Sequence, residues 1–133
     1  MAPTQQPILT LAQQIEQHQS RFAAQPAAEY LGVTISYREL NRMADRLANL
    51  LRSLGLGQND VLGIHLPNTP QYLVALVAAS KLGAVISGVS PLLTPSEIVH
   101  QVNDANIKVL FTLDQLFNAS VAPGFAKSAR SGI

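Results

Sequence analysis

The side chains able to move protons or hold metals are few and scattered. There are three histidines, His18, His65 and His100, and no two of them stand at the spacing of metal ligands. With no cysteine in the chain, thiolate metal sites and disulfide scaffolds are both excluded. The carboxylates Glu39, Asp45, Asp60, Glu97 and Asp104 fall at helix-capping or solvated positions and form no pair suited to acid–base work. Ser36, Ser87 and Ser90 lack the strand–turn–helix setting of a nucleophile elbow. Among the glycines, Gly55-Leu56-Gly57 follows a helix instead of a strand and reads as a helix stop. Ser87-Gly88-Val89-Ser90 follows a strand but has no lysine at phosphate-loop spacing, and Gly63 reads as a close-packing position. No catalytic, cofactor-binding or metal-binding residue is assigned. His65 lies near the carboxyl end of an expected parallel strand, where open α/β sheets place ligands. A packed or hydrogen-bonded core histidine is nevertheless the preferred reading, because one site residue without partners makes no site.

The elements that would position such residues are legible from periodicity. Leu11, Ile15, His18 and Phe22 recur at helical steps behind a capping Thr10. Glu29-Tyr30-Leu31 and Val33-Thr34-Ile35 flank Gly32 as a small hairpin. Leu40, Met43, Ala44, Leu47, Leu50, Leu51 and Leu54 form one stripe of a long helix, with Ser36 and Glu39 at capping-box spacing and Gly55 as a left-handed stop. Strands are expected at Val61–Leu66, Ala84–Val89 and Lys108–Phe111, separated by helices Pro70–Leu82 and Pro95–Ala105. Thr69-Pro70 and Thr94-Pro95 each place a capping hydroxyl before a first-turn proline, and Glu97 completes a capping box in the second. Strands alternating with single helices imply a parallel sheet, so the expected fold is α/β: a helix, a small hairpin, a long helix, and a parallel β-α-β-α-β unit. Beyond Phe117 the pattern fades through Asn118-Ala119-Ser120 and Pro123-Gly124, which reads as a linker or frayed tail.

A net charge of +1 without a basic cluster argues against nucleic acid as a partner. Met1 to Pro7 carries no Lys or Arg, and the apolar stretch Ile8 to Ala12 is too short for a secretory signal. The apolar run Tyr72–Val89 approaches the length of a membrane span, but Lys81 and Gly83 interrupt it, favouring a buried helix and strand. A cytoplasmic location is the simplest expectation. Charged residues make up 13% of the chain, against about 25% in ordinary soluble domains. Part of the surface is therefore expected to be covered by more chain, a partner or lipid, and the piece alone is expected to self-associate.

Taken in order, Ser36-Tyr37-Arg38-Glu39-Leu40, Leu54-Gly55, Asp60-Val61, Leu66-Pro67-Asn68-Thr69-Pro70, Lys81-Leu82-Gly83-Ala84 and Pro91 resemble the N-terminal part of the acyl-adenylate-forming superfamily of acyl-CoA synthetases, luciferases and peptide-synthetase adenylation domains. The resemblance runs from about Leu11 to Phe117. The stretch Ser90 to Glu97, continuing through Gln101 and Asn103-Asp104, is most similar to synthetases of fatty or aryl carboxylates. Ser90 stands where the family usually has Asn or Asp, which leaves the subfamily open. The resemblance implies that residues 1–118 are a partial N-terminal domain within a larger three-layer α/β domain, with 119–133 the tail. It implies a parent enzyme that uses ATP, Mg²⁺ and CoA to activate a carboxylic acid. The family's Ser/Thr/Gly-rich loop ending in Pro-Lys-Gly and its C-terminal lysine are not found in these residues, so no family catalytic residue maps here and the piece alone is expected to be inactive. The alternative is a free-standing binding or interaction module with its site at the carboxyl ends of the strands, near His65, Asn68, Ser87, Ser90 and Thr112.

Overall fold

A computed structural model describes residues 9–130, with the side chains of residues 127–130 left aside. The reading of Met1 to Pro7 and the last residues of the tail, 131–133, lie outside the described residues. Helix α1 (Leu11–Phe22) begins where Thr10 accepts from the Gln13 N–H and Gln13 returns a bond to the Thr10 N–H, a complete capping box. Strands β1 (Pro26–Tyr30) and β2 (Val33–Ser36) pair antiparallel across Leu31 and Gly32, at φ of 49° and 80°. Two successive left-handed residues match the right-handed twist of a hairpin, and Gly32 takes the more extreme of them without a Cβ penalty. Helix α2 (Tyr37–Ser53) buries Leu40, Ala44, Ala48 and Leu51 and stops at Gly55, φ 91°.

Strand β3 (Val61–His65), helix α3 (Pro70–Leu82), strand β4 (Val85–Gly88), helix α4 (Pro95–Asp104) and strand β5 (Ile107–Thr112) follow in the expected alternation. The sheet order is β4-β3-β5, parallel throughout, so the first strand made is the central one. Its two faces are covered by different layers. Leu62 and Ile64 of β3 and Val109 and Phe111 of β5 join α1, α2 and α3 in one core. Ile107 and Leu110 of β5 face the other way, to Ile98 and Val102 of α4. Alternation from Val109 to Phe111, with the register irregularity at Lys108 turning Ile107 to the α4 side, thus divides three layers, as a parallel sheet requires. Gly63 is a close-packing position as expected: a Cβ there would stand 2.8 Å from Leu110 Cδ1 and 2.9 Å from Ile107. Helix α3 buries Val74, Ala75, Val77, Ala78 and Ala79 and ends on left-handed Gly83. At 13 residues it is a core helix, and no helix among the described residues is long and apolar enough to cross a membrane.

Four expectations are corrected. Residues 119–130 do not trail away. After α5 (Asp114–Leu116) the chain makes a π-helical turn, Phe117–Val121, and continues as α6 (Ala122–Arg130). Val121 is buried against Val89 and Ile98, and Gly124 lets α6 lie directly on the first turn of α4. Burial of that side chain outweighs the helix-breaking tendency of Pro123-Gly124. Of the other expected caps, Ser36 accepts from the Glu39 N–H at 3.2 Å, but its own N–H does not donate back to the Glu39 carboxylate. Thr94 accepts from the Glu97 N–H at 3.4 Å and donates its hydroxyl to Glu97 Oε1 at 2.8 Å, a side-chain pair in place of the full box. Thr69 makes no capping bond, and its hydroxyl is buried without a partner among the described residues.

These caps should separate in a measurement. Ser36→Ala is expected to cost about 1 kcal/mol, the usual scale for losing a cap. Thr69→Val, which removes an unpaired buried hydroxyl and keeps its shape, is expected to be neutral or slightly stabilising. Urea denaturation of the two variants beside the parent chain checks the pair, and equal losses would mean that Thr69 does cap α3.

Candidate functional site

The carboxyl ends of β3, β4 and β5 bring the candidate residues to one rim. His65 ends β3, fully buried, and its Nδ1 lies 2.8 Å from Thr112 Oγ1 across the sheet. The two residues are register partners, which is why they meet. Burial pushes the His65 imidazole below its ordinary pKa, opposed by the Ser90 backbone carbonyl, which favours a protonated ring nitrogen. By hydrogen-bond distance and angle, His65 Nε2 has no partner among the described residues. Ser90, exposed, uses its hydroxyl to accept from the Leu92 N–H in the turn leaving β4. Ser87 is half-buried on β4, and Asn68 is exposed in the loop before α3. The structure therefore joins His65 to Thr112 and leaves Asn68, Ser87 and Ser90 as separate polar positions on the same rim. His65 itself is packed in the core and hydrogen-bonded to Thr112.

Two further places escaped the sequence. Lys81 looked like an interruption in an apolar run. It is a largely buried cation, 2.8 Å from Asp45, 2.8 Å from Asn41 Oδ1 and 3.4 Å from Glu16, joining α1, α2 and α3 beside a polar cleft of about 710 Å³. Its partners lie on two other helices, so only tertiary packing reveals them. Two carboxylates on one ammonium neutralise it, and it serves to hold helices together. An apolar groove of about 450 Å³ runs between the hairpin, α2 and the start of α3, lined by residues including Tyr30, Val33, Met43, Leu47, Val74 and Phe111.

Asp60, at the opposite end of the sheet, accepts from the Gly57 N–H at 2.8 Å and pairs with Lys108 at 3.2 Å. The Gly57 bond first, and then Lys108, hold its carboxyl below the ordinary value. Among the described residues no three of His, Asp and Glu gather as a metal site.

Comparison with known proteins agrees with this scaffold. The long-chain-fatty-acid–CoA ligase of Escherichia coli O6:H1 is 34% identical over 102 residues, covering 76% of this chain and 18% of the ligase. The acetyl-coenzyme A synthetase of Dictyostelium discoideum is 38% identical over 81 residues, 61% of this chain and 12% of that protein. The chain thus spans less than a fifth of the length of these curated relatives. Among solved structures, a benzoate CoA ligase from Burkholderia xenovorans LB400 superposes with a TM-score of 0.81 at 22% identity, over 90% of this chain and 24% of that one. A Mycobacterium tuberculosis fatty acyl CoA synthetase does so with a TM-score of 0.73 at 23% identity, over 83% and 23%. At these identities the structural likeness speaks for the fold. A family model described as "AMP-binding enzyme" matches residues 13–131, and the chain belongs to that family.

Proposed function

We propose that this chain is the N-terminal scaffold portion of an ATP-dependent acyl-CoA synthetase, which couples a carboxylate to AMP with release of pyrophosphate and then transfers the acyl group to the thiol of CoA. The observation that carries the reading is the family match across residues 13–131, on a chain whose relatives include fatty-acid and acetate CoA ligases several times longer. Phosphoryl chemistry needs fixed positive charge against the transferring group. The buried lysine here, Lys81, is spent on Asp45 and Glu16, and Lys108 is paired with Asp60. In this reading no residue of the chain is catalytic, and ATP, Mg²⁺, CoA and a fatty or aryl carboxylic acid are bound by other parts of a longer, cytoplasmic polypeptide. The chain supplies a parallel sheet, the helices that brace it, and the rim at His65 and Thr112 against which such a site could be built.

The isolated chain is accordingly expected to give no carboxylate-dependent exchange of labelled pyrophosphate into ATP, across a panel of short, long and aromatic acids. Exchange above a no-protein control would overturn the scaffold reading. Saturable binding of an acyl or adenosine ligand to the purified chain would instead assign the rim a binding role of its own.

A further inference from the structure

We draw no further inference here: the strongest candidate, the apolar groove of about 450 Å³ between the β1–β2 hairpin, α2 and the start of α3, opens on a surface that a longer polypeptide can cover, and nothing in the structure shows what fills it.

Discussion

Replacing Gly124 with alanine is expected to destabilise the chain by about 1–3 kcal/mol, the usual cost of overpacking, and valine by more. A Cβ at this position would stand 2.6 Å from the Pro95 carbonyl oxygen, 3.1 Å from its carbon and 3.2 Å from Val99 Cγ2. The first two are backbone atoms at the start of α4, which cannot swing aside as a side-chain end can. The only relief is to separate α6 from α4, and that withdraws Val121 from its contacts with Val89 and Ile98. The sign is diagnostic. In a free helix Gly→Ala is stabilising by about 1 kcal/mol, so an undocked α6 would gain from the substitution and a docked one must lose. Urea denaturation with exchange of the α6 amides reads both consequences. A variant as stable as the parent, with α6 no less protected, would mean that the two helices do not touch as described.

The second large effect is acid lability centred on His65. Its folded-state pKa lies below the unfolded value of about 6.5, so between the two the unfolded chain binds more protons and stability falls as pH is lowered. The loss begins as pH drops through the unfolded pKa, proceeds at up to about 1.4 kcal/mol per pH unit, and stops once the folded form also protonates. Full burial gives the imidazolium no water, while the one side-chain bond, to Thr112, is made equally well by the neutral ring. Melting temperatures at pH 7.5 and 5.5 are expected to differ clearly for the parent chain, and much less for His65→Gln. Equal slopes for the two would show that His65 is solvated or charged in the folded state.

Much of this architecture is legible because periodicity and caps are local. Thr10, Ser36 and Thr94 start helices where their sequence neighbours say they should, and the β3-α3-β4-α4-β5 alternation follows from the apolar runs alone. What is not legible depends on partners far along the chain. Thr69-Pro70 and Thr94-Pro95 read identically, yet φ is −129° at Thr69 and −69° at Thr94, and only the second hydroxyl reaches its N3 amide. Pro123-Gly124 has the local signature of a breaker, but the glycine is needed for the approach to Pro95, a contact 29 residues away that no local rule encodes. Lys81 is similar: its neighbours in sequence are apolar, and its carboxylates stand 65 and 36 positions earlier. At the rim, the position of His65 at a strand end followed from pattern, whereas its bond to Thr112 required the register of two non-consecutive strands.

The order β4-β3-β5 has a consequence for synthesis on the ribosome. The central strand emerges first of the three, and one of its sides is closed only when β5 arrives, with Thr112 lying 47 residues after His65. At translation speeds of about 5–20 residues per second, the nascent chain waits roughly 2–9 s with β3 half-paired. During that interval β3 has β4 on one side at most, and the helices α1 to α3 are the cover available for its apolar side chains. Early docking of α1 and α2 onto α3, fastened by the Lys81 ammonium, would give the emerging chain a helical shelter before its sheet can close.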